Sequence, residues 1–131
     1  METRLYMLDS SVCIAVLRNA PNLEKLPSSE QCCLSQITVA ELWTGVEKGA
    51  FHLRNASRLT DFLAPFPLLD FDEPAARAYG EIRAALEKKG RSIGPLDLLI
   101  AAHARSIGAT LLTGNFDEFR RVPALKVLRW A

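Results

Sequence analysis

Short apolar runs recur along the chain, at residues 4–8, 32–35, 68–71, 109–113 and 126–130, each separated from the next by segments of helical periodicity. Within the runs apolar residues mostly follow one another instead of alternating with polar ones. A strand with one wet face alternates, whereas a strand apolar throughout has both faces covered. Strands of that kind in rotation with helices predict a mostly parallel sheet with helices on both sides, a three-layer α/β/α sandwich. The 131 residues suit one such domain over 1–131. A domain of this size buries roughly two-thirds of its unfolded surface and needs no disulfide.

The helical segments are marked by apolar residues one turn apart. Cys13, Val16 and Leu17 predict a helix over 10–18, and a second short one is expected over 21–26. Val39, Leu42, Trp43 and Val46 predict a helix over 37–49 with Gly49 as its stop. Ala56, Leu59, Phe62 and Leu63 line the next, over 52–63, which Pro65 and Pro67 break. The clearest pattern is 73–89, with Ala75, Tyr79, Ile82 and Leu86 on one face and Gly90 at its end. Pro95 opens another helix, with a stripe of Leu96, Leu99, Ile100, His103 and Ile107, closed by Gly108. A helical turn is expected over 116–120.

Several classes are disfavoured. No apolar stretch has the length of a membrane helix, because Asp97 and His103 interrupt the best candidate, and the first residues lack a secretory h-region. A cytoplasmic protein with no membrane contact is expected. Cys13, Cys32 and Cys33 have no metal-ligand spacing and read as small hydrophobes. The net charge of +1 lacks the basic excess of a non-specific nucleic-acid binder. The arginines read as spread rather than clustered.

In an open α/β sheet, ligands bind beyond the carboxyl ends of the strands. Asp9 directly follows the first apolar run, and Thr113, Gly114, Asn115 and Asp117 follow the fourth. Glu41 sits off the apolar stripe of its helix, and Asp97 lies in the first turn after Pro95, where free backbone N–H groups favour a negative charge. Singly, each acid has a structural explanation: Asp9 and Asp97 as caps, Glu41 as a solvated residue. Together on one rim they repel one another unless a cation intervenes, and oxygen-only ligands suit Mg²⁺ or Mn²⁺.

Four segments in order carry a family likeness: YMLDSSVCI (6–14), LSQITVAELWTGVEK (34–48), IGPLDLLIAAHARSIGATLLTGNFDEF (93–119) and VPALKVLRW (122–130). On these the chain resembles the PIN-domain ribonucleases, most closely the VapC toxins of bacterial toxin–antitoxin pairs. The resemblance implies a PIN-like fold and a catalytic, metal-binding set of Asp9, Glu41 and Asp97. The fourth acidic position is open between Asn115 and Asp117, with Asp117 offered as a metal ligand. Ser10-Ser11 replaces the family's Thr-Asn. The expected chemistry is hydrolysis of RNA by metal-activated water, leaving a 5′-phosphate and a 3′-hydroxyl. Ser10, Thr113 and Asn115 are expected to position water or phosphate, and Arg91, Arg120 and Arg121 to contact RNA. The implied partners are an RNA substrate, a VapB-like antitoxin and a second copy of the chain. Trp43, Phe51 and Phe62 are candidates for such contacts, although core packing is the default for Trp43.

Other readings fit less well. A histidine-based ribonuclease has only His52 and His103 to draw on, and His103 lies on an apolar stripe, which favours a packed side chain. A receiver-like signalling module needs a second acid beside Asp9, where Leu8 and Ser10 stand; a haloacid-dehalogenase-like phosphatase needs Asp where Ser11 stands. No phosphate-binding Gly-x-x-x-x-Gly-Lys loop occurs. A PIN-fold module without catalysis is the remaining alternative.

Overall fold

The computed structural model describes residues 4–18, 26–49 and 52–130. In chain order the elements are β1 (Tyr6–Leu8), α1 (Ser10–Leu17), a 3-10 turn (Ser29–Gln31), β2 (Cys32–Ser35), α2 (Gln36–Lys48), α3 (His52–Leu63), β3 (Leu68–Leu69), α4 (Glu73–Lys88), α5 (Pro95–Ser106), β4 (Thr110–Thr113), α6 (Phe116–Phe119) and β5 (Lys126–Arg129). The strands form one sheet in the order β3-β2-β1-β4-β5. Every pairing is parallel, with Tyr6 opposite both Cys32 and Thr110, Leu34 opposite Leu68, and Leu111 opposite Val127. The mostly parallel α/β/α sandwich expected from the strand pattern is the observed architecture, and the sheet is wholly parallel.

Two cores explain the missing alternation. Met7, Cys33 and Leu111 pack with Ile82, Leu86, Leu98 and Ile100 on the α4 and α5 side. Their neighbours Leu8, Cys32, Leu34 and Leu112 pack with Val12, Val39, Leu42 and Leu59 on the α1, α2 and α3 side. Successive side chains point to opposite faces, so each central strand needs apolar residues at consecutive positions. The edges are different: β5 is largely exposed and β3 is only half-buried. All three cysteines are buried and free.

Polar residues at the strand ends start the helices. Asp9 caps α1, Ser35 caps α2 by accepting from Ile37 N at 3.1 Å, and Asp72 caps α4 by accepting from Ala75 N at 3.1 Å. Gly90 and Gly108 follow the last turns of α4 and α5 with φ of 66° and 68°, the left-handed conformation that lets the chain leave a helix sharply.

Two expectations need revision. In α5 the buried face is Leu98, Ile100, Ala101, Ala102, His103 and Ala104. Leu96 and Ile107, placed on the apolar stripe by their spacing, are 46% and 37% exposed. The reason is close packing of α5 along α4, which selects small side chains and leaves the bulky ones at the helix ends outside. Trp43 is likewise exposed rather than packed in the core. The helix expected over 21–26 falls, Leu26 apart, outside the described residues, as does Phe51. Among the described residues no helix is long and apolar enough to cross a membrane.

Candidate active site

From β1 the chain proceeds to β2 and β3 on one side, and later to β4 and β5 on the other. That reversal opens a crevice beyond the carboxyl ends of β1 and β4. Asp9 and Thr113 meet there. Asp9 is only 3% exposed, and three donors hold its carboxylate. Oδ1 accepts from Ser11 Oγ at 2.6 Å and from Val12 N at 3.1 Å, while Oδ2 accepts from Thr113 Oγ1. Each hydroxyl is fixed in turn: Ser11 Oγ accepts from Gly114 N at 3.0 Å and Thr113 Oγ1 accepts from Asn115 N at 2.8 Å. Burial raises the Asp9 pKa, and these hydrogen bonds pull it back down without cancelling the effect.

Glu41 and Asp97 lie within electrostatic reach of Asp9. Burial raises Glu41, the Ser10 hydroxyl lowers it, and the charge on Asp9 raises it further. The Glu41 Oε1 atom is buried and has no hydrogen-bond partner. Asp97, in the first turn of α5, is pushed from 3.8 to about 6 by burial and then by Glu118, Asp9 and Glu41. Glu118 belongs to the same group: its Oε1 accepts from Gly94 N at 3.1 Å and its Oε2 from Asn115 Nδ2 at 2.9 Å. A methyl group built on Gly94 would stand 3.9 Å from Glu118 Oε1 and 4.0 Å from Asp97 Oδ2, so both carboxylates border one short loop.

Among the described residues, no three acid, histidine or cysteine side chains are gathered tightly enough to hold an ion by themselves. Mg²⁺ takes oxygen ligands and retains several waters beside one or two carboxylates. The donor set is all oxygen. The unpartnered Glu41 oxygen and the mutual elevation of these acids both describe a site short of positive charge. The residues fit such a cation.

The sequence profile of the PIN domain matches residues 6–125. The chain belongs to the PIN-domain family. Within it the chain groups with the VapC ribonucleases. It is 43% identical to Ribonuclease VapC2 of Haemophilus influenzae, covering 95% of this chain and 97% of that one. It is 38% identical to the tRNA(fMet)-specific endonuclease VapC of Shigella flexneri, covering 96% and 98%. The DNA-bound VapBC structure from Salmonella typhimurium superposes with a TM-score of 0.93 at 35% identity, covering 98% and 99%.

Two residues of this PIN fold escaped the sequence reading. Ser11, at the point where the chain departs from the family motif, supplies the shortest hydrogen bond to Asp9 for which the geometry is ordinary. Glu118 bears on Asp97, whereas Asp117, the acid favoured by sequence, is 79% exposed and 3.7 Å from both Arg120 and Arg129. The short α6 turns Glu118 towards Gly94 and Asp117 outwards, an orientation set by a tertiary contact 24 residues away in sequence. Asn115 tethers Glu118 and reaches Thr113 only through its backbone. His103 is buried with Nδ1 2.7 Å from Ser35 Oγ and its ring edge-on to Phe71, as a packed histidine should be. Burial lowers its pKa, with Asp72 and Asp70 opposing. Arg91, Arg120 and Arg121, read as dispersed, line one concavity.

Proposed function

We propose that this VapC chain is the RNA-cleaving toxin of a toxin–antitoxin pair, working with Mg²⁺ or Mn²⁺ at a rim of Asp9, Glu41, Asp97 and Glu118. One arrangement carries the reading: independent elements bring Asp9, Glu41, Asp97 and Glu118 to one rim, where burial first and then the neighbouring carboxylates raise the Asp97 pKa to about 6. A fold gains nothing in stability from such crowding unless a cation relieves it.

Asp9, Glu41 and Asp97 would hold the ion, directly or through water. Bound there, it supplies Lewis acidity and a water that ionises near neutral pH. Asp9 is oriented beforehand by Ser11, Val12 and Thr113, so its geometry does not wait on the ion. Thr113, fixed by Asn115 N, holds one side of Asp9. Ser10 serves the same purpose for Glu41. In the metal-free chain Asp97 carries its full negative charge, and so offers the ion its strongest attraction, above about pH 6. Glu118 secures the loop before α5 against α6.

Replacing Asp97 with Asn and incubating RNA with Mg²⁺ or with EDTA tests the proposal. Initiator tRNA is a natural first substrate, since a relative is named for it. Cleavage that needs both Asp97 and divalent metal, leaving 5′-phosphate and 3′-hydroxyl ends, supports the mechanism; 2′,3′-cyclic phosphate ends, or cleavage indifferent to both changes, refute it.

The antitoxin is assigned by analogy with the VapBC complexes. Its natural seat is the groove between α1, α2 and α3, about 220 Å³, floored by Ile14, Leu42, Val46 and Leu59 and reaching Glu41. Exposed Trp43 lies on α2 near it and is a candidate contact for a second copy of the chain. Sedimentation of the free chain, with and without Trp43→Ala, separates a homodimer from a monomer.

A further inference from the structure

Arg91 comes from the loop between α4 and α5, and Arg120 and Arg121 follow α6, yet the three residues line a single concavity of about 380 Å³. All three are exposed. Among the described residues, the guanidinium groups of Arg91 and Arg121 have no acid partner, and Arg120 has only Asp117 at 3.7 Å, an acid it shares with Arg129. Three cations facing one hollow repel one another, so the arrangement favours an anion. We propose that this concavity is a phosphate subsite of the RNA strand, gripping the backbone beside the bond that is cut.

Position and charge support this assignment, which rests on the nuclease reading. Glu118 Oε1 accepts from Gly94 N, joining the loop that carries Arg91 to the helix that precedes Arg120 and Arg121. Arg91 is three residues from Gly94, no more than about 11 Å even along extended chain. The hollow therefore lies near the loop that leads into α5 and Asp97. A strand reaching Asp97 presents further phosphates on either side, and the rim's own acids repel them. With a net charge of only +1, the chain has no diffuse attraction to offset that repulsion, so cations must stand locally. Guanidinium suits the task because its planar fork matches two phosphate oxygens at once. A carboxylate ligand would not need three such groups.

The test measures binding without cleavage. A fluorescein-labelled single-stranded RNA is titrated with the full chain in EDTA, by anisotropy, across a series of salt concentrations. Arg91→Ala and Arg121→Ala should each weaken binding roughly fivefold and lower the slope of log K against log salt by about 0.7, the value for one contact to a single strand. Arg121→Lys should recover the slope. Unchanged affinity and slope in the double Arg91→Ala/Arg121→Ala variant would overturn the subsite, whatever the nuclease activity. So would a polyglutamate peptide that binds as tightly as RNA and is lost in the same variants, since the hollow then serves an acidic protein. Because the readout needs no catalysis, a chain that shows the expected slopes but does not cut RNA with Mg²⁺ retains the subsite and refutes the nuclease reading instead.

Discussion

Replacing Asp97 with Asn should stabilise the metal-free protein at neutral pH while abolishing its activity. The Asp97 pKa stands at about 6 in the fold against 3.8 for the free side chain. Between those values the folded state holds a proton that the unfolded state has released, so stability declines as pH rises through the window. Above about pH 6 the penalty is complete. The displacement corresponds to ~3 kcal/mol at about 1.36 kcal/mol per pH unit, and because Asp97 is only half-buried, solvent screening leaves about 1–2 kcal/mol. Asparagine occupies the same space without the charge. Urea unfolding in EDTA, at about pH 7.5 and about pH 4, measures the difference directly. The variant should gain about 1–2 kcal/mol at the higher pH and little at the lower one. Added Mg²⁺ should then stabilise the parent and not the variant. A variant no more stable than the parent at about pH 7.5, or a gain independent of pH, would show that the acids do not burden one another as described.

Three further outcomes follow from named contacts. Thr113→Val keeps the shape of a buried residue but strips Asp9 Oδ2 of its donor and Asn115 N of its acceptor; about 1–3 kcal/mol of stability should be lost in urea titrations, and Mg²⁺-dependent cleavage should fall on the order of tenfold or more. Ser11→Ala removes one of the two donors to Asp9 Oδ1 and leaves Gly114 N without its acceptor. It should cost about 1 kcal/mol and slow cleavage, with ends unchanged on sequencing of the products. His103→Asn leaves Ser35 Oγ without its ring partner; thermal unfolding should register about 1–3 kcal/mol of lost stability, while the per-molecule cleavage rate at low temperature should stay within a few-fold of the parent, an outcome that a histidine-based mechanism forbids.

The sheet was legible because its interior strands are apolar at consecutive positions, Met7 with Leu8 and Leu111 with Leu112. No local pattern other than a strand covered on both faces explains such short runs. Asp9 was legible for the same reason: it is the first polar residue after a buried strand in a fold whose ligands gather at that end. What escaped depended on contacts distant in sequence. The face of α5 follows from how closely α4 approaches, and pattern reading gave weight to Leu96 and Ile107 when the fold had selected Ala101 and Ala104. Asp117 and Glu118 are adjacent acids on one helical turn, and sequence alone has no means of knowing that Gly94 N will claim the second. Ser11 looked like a loss because it replaces an amide, yet a hydroxyl can donate to Asp9 and accept from Gly114 at once. Arg91, Arg120 and Arg121 were legible as candidate RNA contacts, but not as the lining of one hollow, because Arg91 is distant from the other two in sequence.

The hydrogen bond between Thr113 and Asp9 spans 104 residues, and the strands that carry them lie side by side at the centre of the sheet. The ribosome delivers Asp9 more than a hundred residues before Thr113. A growing polypeptide that has not yet released residue 113 from the ribosome holds Asp9 by its Oδ1 side alone. The second side of that carboxylate is held only once β4 has docked beside β1, so the finished site waits on the sheet's assembly.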